Sequence, residues 1–319
     1  GSFFVTLGLA AAFYPQSSTV EELMTHAEIA LHKVKQDKKL KYSIFSPVDM
    51  HQLKERVDFE VQISQCIRNN MESFQLYYQP QFDVATNKLR GFEALLRWYD
   101  EDTGWISPEQ FIPIAEETKL VIPLGDWILE TAISTLKEWI DNFGFDGIMS
   151  VNVSPIQLKK PTFMFDLVQL LKKYEIPTKN LEIEITEGVF INSKNEAIDL
   201  LKQIRGLGIG LSLDDFGTGY SSLSYLQLLP ITTLKIDKSF IANITDKGGV
   251  EANITDSIIS MVTKMGLDTI AEGVEKEDQL AVLRNINCRN IQGFLKGKPM
   301  PKERCEQILG GNYDLADHL

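Results

Sequence analysis

Two adjacent aspartates end the apolar run Leu211-Ser212-Leu213-Asp214-Asp215, and Phe216-Gly217-Thr218-Gly219-Tyr220-Ser221-Ser222 follows them. Like charges side by side at a strand end repel and add nothing to packing unless a cation lies between them. A polar strand-to-helix turn capped by Ser222 or Ser224 is the plainer alternative. The other strand-like runs weigh against it, because each carries a polar group on one phase. With a period of two, Leu181, Ile183 and Ile185 share one face, and Glu182, Glu184 and Thr186 share the other. Phe92, Ala94 and Leu96 oppose Glu93 and Arg97, while Val151 and Val153 oppose Asn152 and Ser154. Leu211 and Leu213 oppose Asp214, Leu234 and Ile236 oppose Lys235, and Ala271 opposes Glu272. Strict alternation sends Asp215 away from Asp214, so a bend at Asp215 is required to turn it inward.

Glu93, Asn152, Glu184, Asp214, Asp215 and Glu272 are all oxygen donors, with Lys235 and Arg97 beside them. His26, His32, His51 and His318 all fall outside residues 73–310. Chemistry in that stretch therefore rests on carboxylates, lysine, metal and water. An oxygen-only set points to Mg²⁺ or Mn²⁺ and away from zinc. It holds enough carboxylates for two ions sharing a bridging ligand, an arrangement that activates water and clamps a phosphodiester. Glu182 is expected instead in a structural pair with a lysine or arginine. Tyr77, Tyr78 and Trp98 are expected in core or rim packing, and Gly217-Thr218-Gly219 alone is a weak signal for a phosphate loop.

The elements that must position these groups alternate in type. Strand runs are expected at 74–82, 91–98, 148–153, 181–186, 208–214, 233–236, 269–271 and 290–294. Helical stretches at 108–117, 123–143, 161–174, 194–207, 251–265 and 276–285 fall between them, the first opened by Ser107-Pro108. This alternation indicates a parallel α/β architecture, and about eight strand units favour a closed barrel over an open sheet. Lumens of such barrels are normally filled with branched apolar side chains, so a polar group on strand after strand is not packing.

The first 47 residues read differently, with strand-like runs at 3–10 and 41–45 and a helix from Val20 to about Gln36 between them. Thr19-Val20-Glu21-Glu22 is a capping box for that helix. Such a fragment is expected to be part of an α+β domain, with sheet edges left to pair with a second chain or to pack on the amphipathic helix that follows at 48–72. Gly1-Ser2 is compatible with a cloning scar, so a longer natural protein is expected upstream.

At 319 residues, with 44% hydrophobic and 24% charged, the composition is that of a soluble globular protein. The net charge of −12 excludes non-specific duplex nucleic-acid binding, though bound divalent ions can reverse the field locally for a small phosphate ligand. Cys66, Cys288 and Cys305 form no CxxC and suggest a reducing, cytoplasmic compartment. No uncharged apolar run approaches the ~18 residues that span a bilayer, and Gly1–Phe13 lacks the basic start of a signal peptide.

Glu93-Ala94-Leu95-Leu96-Arg97 resembles the signature of the EAL-domain cyclic di-GMP phosphodiesterases. The resemblance extends in order through Tyr78-Gln79-Pro80, Phe111-Ile112-Pro113, Val151-Asn152-Val153-Ser154, Glu184-Ile185-Thr186-Glu187, the 214–222 block, Leu234-Lys235-Ile236-Asp237, Ala271-Glu272-Gly273-Val274-Glu275 and Gln292-Gly293-Phe294, roughly residues 73 to 305. It implies a modified (β/α)8 TIM-type barrel with one antiparallel strand, with cyclic di-GMP as substrate and linear pGpG as product. It further implies one metal on Glu93, Asn152, Glu184 and Asp214, and a second on or beside Asp214, Asp215 and Glu272. Lys235 would steer the attacking water and Arg97 would contact a substrate phosphate. Gln79 and Gln292 match substrate-side positions, Glu187 matches the glutamate that anchors the loop after Asp215, and Glu275 matches a supporting acid behind the metals.

Val5-Thr6-Leu7-Gly8-Leu9-Ala10 and the run from Ala27 to Lys35 resemble the last third of a GGDEF diguanylate cyclase domain, without its signature or its nucleotide half. Glu28 and His32 stand where that family usually has Asp and Tyr. The resemblance implies a tandem GGDEF–EAL parent divided here into a GGDEF-like fragment (1–47), a linker helix (48–72) and a phosphodiesterase barrel (73–319), with synthesis of cyclic di-GMP excluded. The rival from another class is a catalytically silent cyclic di-GMP receptor. Such receptors usually lose metal ligands, whereas this chain keeps them.

Overall fold

The computed structural model describes residues 8–13, 17–36, 40–190, 194–217, 226–245 and 250–311. Thr218 to Ser224, with the proposed cap, the first residues of the first expected strand and His318 lie outside them. The chain divides into two compact units, Gly1–Arg68 and Asn69–Leu319.

In the first unit β1 (Leu9–Ala11) and β2 (Tyr42–Ile44) flank α1 (Val20–Gln36), and α2 runs from Pro47 to Arg68. The capping box forms as the sequence requires. The Glu22 N–H donates to Thr19 Oγ1 at 3.1 Å, and the Glu22 carboxylate accepts from the Thr19 N–H at 3.4 Å and the Ser18 N–H at 2.7 Å. Ile29, Ala30 and Phe45 form a small core with Ala10, Ala12 and Leu53 against it. Leu53 on α2 packs against this core, so the fragment rests in part on the helix that follows it, as the sequence suggests. β1 and β2 pair with each other in parallel register, Leu9 opposite Tyr42 and Ala11 opposite Ile44. Each strand thereby satisfies one edge within its own chain, because the α1 crossover returns the backbone alongside itself.

In the second unit the strands are β3 (Phe74–Asp83), β4 (Leu89–Asp100), β5 (Gly104–Ile106), β6 (Ile148–Asn152), β7 (Leu181–Thr186), β8 (Gly210–Phe216), β9 (Thr233–Ile236), β10 (Asp268–Ala271), β11 (Asn290–Gln292) and β12 (Met300–Pro301). Eight of them close in the order β3-β11-β10-β9-β8-β7-β6-β4, and the β4–β3 pairing completes the ring. β3 is antiparallel to both neighbours, and the other ring pairs are parallel. β5 and β12 are short additions on β4 and β3. At three and two residues they carry too little period to be read from sequence.

The apolar phase faces the helices, as the alternation demands. Phe92 and Tyr78 are buried, each with its ring 5.0 Å from that of Trp139 on the helix Val121–Phe143. Trp98 is fully buried and packs edge-on to Phe111, whereas Tyr77 meets Trp105 near the end of β4. The opposite phase is left to line the lumen.

Candidate active site

Lys235 on β9 is 1% exposed, and its Nζ contacts four carboxylates: Glu184 at 2.6 Å, Glu272 at 2.8 Å, Asp214 at 3.3 Å and Glu93 at 3.4 Å. These side chains come from β4, β7, β8, β9 and the residue after β10, at the carboxyl ends of the parallel strands where barrels of this kind place their chemistry. Ligand oxygens of Glu93, Glu184 and Asp214 lie within 4.8 Å of one another, and so do those of Asp214, Asp215 and Glu272. The two groups share Asp214. Asn152, the last residue of β6, donates from Nδ2 to Glu93 Oε1 at 2.6 Å.

Asp215 reaches this cluster through a β-bulge. Leu213 pairs with Leu234, and the next partners are Phe216 and Ile236, so β8 spends one residue more than β9 over the same span. Asp215 takes φ 54°, a left-handed conformation that aspartate tolerates better than most residues. Gly217 follows at φ 100°, where an added Cβ would lie 2.6 Å from the Phe240 ring. Its N–H donates to Glu187 Oε1 at 3.4 Å, which ties the start of the loop after Asp215 to the end of β7.

The electrostatics follow from packing five carboxylates around one ammonium. Burial works against the charge on Lys235, but Asp214, Glu184, Glu272 and Glu93 outweigh it and hold the ammonium well above its usual range. Burial and then the charge of Glu93 push Glu184 well above the carboxylate range. Burial raises Glu272 to about 8, although Lys235 opposes the shift. Glu93 ends below its ordinary value, since Lys235 and donors from Gln292 and Asn152 overcome its burial. Asp215 is raised by partial burial and by Asp214 and Asp237, and Glu187 is raised by burial.

Glu184 Oε1 is buried without a hydrogen-bond partner. A buried carboxylate oxygen left unmatched is costly, and a divalent cation would satisfy it. The all-oxygen donor set and the two convergent triads therefore fit hard cations of the Mg²⁺ or Mn²⁺ kind.

Proton linkage makes this testable. The metal-free fold binds a proton on Glu272 between its ordinary value of 4.5 and about 8, where the unfolded chain does not. Stability from this group is complete below the lower value and is lost as pH rises through the upper one. In EDTA, the unfolding midpoint of the wild type is expected to fall relative to that of Glu272→Gln across this window. Saturating Mn²⁺ should displace the protons and flatten the difference. Parallel midpoints for the two proteins in EDTA would contradict the shift.

The remaining expected residues are placed as follows. Gln292 donates from Nε2 to Glu93 Oε2 at 2.6 Å and to Gln79 Oε1 at 3.0 Å, and Gln79 donates to the Gly297 carbonyl at 3.0 Å. Arg97 is half-buried, donates to the Leu96 carbonyl at 2.8 Å and lies 5.7 Å from the Tyr77 ring centre. Glu275 is exposed, outside both carboxylate triads, and its backbone N–H donates to Gln279 Oε1 at 2.8 Å before the helix Glu277–Asn285. Glu182 forms the expected structural pair, with Arg90 at 2.8 Å, and also accepts from Ser150 at 2.9 Å and Thr233 at 2.7 Å. Arg90 and Gln81 were missed. The polar phase of β3 places Gln81 with Gln79, but strict alternation puts Arg90 on the apolar phase with Phe92, and only a register shift turns it inward, Gln81 pairing with Gly91 and Phe82 with Leu89.

The second unit is thus an eight-stranded mixed barrel whose acidic, oxygen-donor centre at the carboxyl end could hold metal ions. The sequence matches the EAL domain over residues 60–299, and the chain belongs to the EAL-domain family. It is 38% identical over 306 residues to the signaling protein YkoW of Bacillus subtilis, covering 96% of this chain and 38% of that protein. It is 33% identical over 303 residues to the bifunctional diguanylate cyclase/cyclic di-GMP phosphodiesterase MucR of Pseudomonas aeruginosa, covering 94% of this chain and 44% of MucR. The chain thus spans about two-fifths of the length of these relatives. The solved PaMucR phosphodiesterase in complex with c-di-GMP superposes with a TM-score of 0.72 at 35% identity, covering 76% of this chain and 99% of that one. No described helix is long and apolar enough to cross a membrane.

Proposed function

We propose that this chain hydrolyses one phosphodiester of cyclic di-GMP to give linear pGpG. The observation that carries this reading is the pair of carboxylate triads sharing Asp214, with the unmatched Glu184 oxygen beside them. Glu93, Asn152, Glu184 and Asp214 would hold one Mg²⁺ or Mn²⁺, and Asp214, Asp215 and Glu272 a second. When bound, such ions supply a water of lowered pKa and positive charge against the phosphate. Family membership and the names of MucR and its solved complex support the choice of substrate.

The chain's own residues divide the remaining work. Lys235 offers an ammonium whose three protons can hold a water facing the phosphorus. Arg97 offers a planar donor fork suited to a phosphate oxygen. Gln79 and Gln292 present amides on the substrate side, and Glu187 holds the backbone after Asp215. Glu275 is assigned a supporting role at the rim.

Residues 1–47 are read as the closing fragment of a GGDEF-like domain, 48–72 as the linker helix and 73–319 as the phosphodiesterase barrel of a longer cytoplasmic parent. The MucR match, which runs through 94% of the chain, supports that division. A homodimer is the proposed assembly state.

Incubation with cyclic di-GMP and Mg²⁺ or Mn²⁺, followed by chromatography, is expected to yield pGpG. EDTA should abolish the product, and Ca²⁺ should not restore it, because its larger and looser sphere misplaces the water. Binding of cyclic di-GMP without turnover in any metal would establish the silent receptor instead. GTP should yield no cyclic dinucleotide.

A further inference from the structure

A single hydrogen-bonded line runs beneath the carboxylate cluster. Arg90 is held by Glu182, with Nη2 at 3.0 and 2.8 Å from its two oxygens, and Nη1 of the same guanidinium donates to Gln81 Oε1. Gln81 Nε2 donates to Gln292 Oε1 at 2.9 Å, and Gln292 Nε2 donates to Glu93 Oε2 and Gln79 Oε1. Gln81 is fully buried, and Gln292 and Glu93 are each 4% exposed.

The polarity of this line is dictated from both ends. A guanidinium has donors only, and an ionised carboxylate has acceptors only. Arg90 therefore requires the carbonyl end of Gln81, which turns the Gln81 NH₂ toward Gln292. Gln292 must then present its oxygen to Gln81 and its NH₂ to Glu93 and Gln79. Reversing either amide sets acceptor against acceptor in a buried space, which is costly.

Building on the metal reading above, we propose that Gln81 is a positioning residue that fixes the amide of Gln292 and through it aims the Glu93 carboxylate at the cation. Outer groups of this kind orient ligands without touching the metal, and their loss typically costs roughly 10–100-fold in metal affinity. Gln81→Glu is the informative variant. The new carboxylate still accepts from Arg90 but cannot donate to Gln292 Oε1, so the Gln292 amide reverses and turns its oxygen on Glu93.

Titration calorimetry with Mn²⁺ alone tests this, with the unfolding midpoint measured in EDTA on the same samples. The expected result is Mn²⁺ binding weakened by roughly 10–100-fold in Gln81→Glu, with the protein folded. Gln81→Met removes the donor without adding charge and should weaken binding less. It carries the test should Gln81→Glu fail to fold. A merely structural glutamine would lower the midpoint of the folded variant and leave its Mn²⁺ affinity unchanged, which would overturn the proposal. Wild-type protein that binds no Mn²⁺ would overturn the metal reading and this inference together, whereas wild-type binding matched by the variant overturns this inference alone.

Discussion

Asp215→Asn is expected to lower pGpG production by orders of magnitude while the protein stays folded and still binds cyclic di-GMP. The substitution keeps the shape of the side chain and one oxygen, and removes one negative charge from the Asp214–Asp215–Glu272 triad. A metal-activated water owes its reactivity to a pKa lowered from that of bulk water to about 7 in favourable sites, so weakening that site acts on the chemical step. Folding should be spared for a local reason. Residue 215 sits at φ 54° in the bulge, and asparagine is among the residues that tolerate this conformation best. Affinity for cyclic di-GMP should change much less, because Arg97 and the other triad are untouched. If Asp215 served only the turn, the variant would lose stability and keep its specific activity. Product formation, ligand binding and unfolding midpoint on one sample separate these outcomes, and a normal rate in the folded variant would remove the two-ion mechanism.

The bulge marks the boundary of what the sequence discloses. Glu93, Glu184, Asp214 and Lys235 were legible because side-chain direction in a strand has a strict period, and one polar group on strand after strand contradicts a packed lumen. Asp215 breaks that period. Its inward turn needs an extra residue in β8 relative to β9, and such a register shift is a property of the pair of strands, not of either sequence. Arg90 and Gln81 stayed hidden for a related reason. Read on one strand, an arginine beside glycine at the start of a run looks solvent-facing. The register shift of β4 against β3 turns it inward to Glu182, two strands away, whose structural role was expected while its partner was not. The pairing of β1 with β2 likewise depends on where α1 returns the chain. Arg97 keeps its expected phase and contacts the Leu96 carbonyl and the Tyr77 ring, so its role toward phosphate rests on the family resemblance.

Lys235→Met is expected to give a pattern that no purely structural lysine produces. Lys235 is the cation in contact with Glu93, Glu184, Asp214 and Glu272. Removing one partner of a buried charge set costs about 3–5 kcal/mol, less whatever the carboxylates recover by taking up protons. The metal-free variant should therefore unfold at a lower midpoint than the wild type in EDTA. Added Mn²⁺ should raise that midpoint by more than it raises that of the wild type, since the ion no longer competes with an ammonium for the same oxygens and a ligand stabilises in proportion to its affinity. Turnover should not follow. If Lys235 steers the water toward phosphorus, its loss removes a contribution of roughly 10²–10⁴-fold, typical of a positioned proton-handling side chain, and filling the metal sites does not replace it. A lysine present only to neutralise the empty cluster would become dispensable once the ions are bound, and activity would return with stability. Unfolding midpoints and pGpG production measured across one Mn²⁺ titration distinguish the two, and recovery of both curves together would end the catalytic assignment of Lys235.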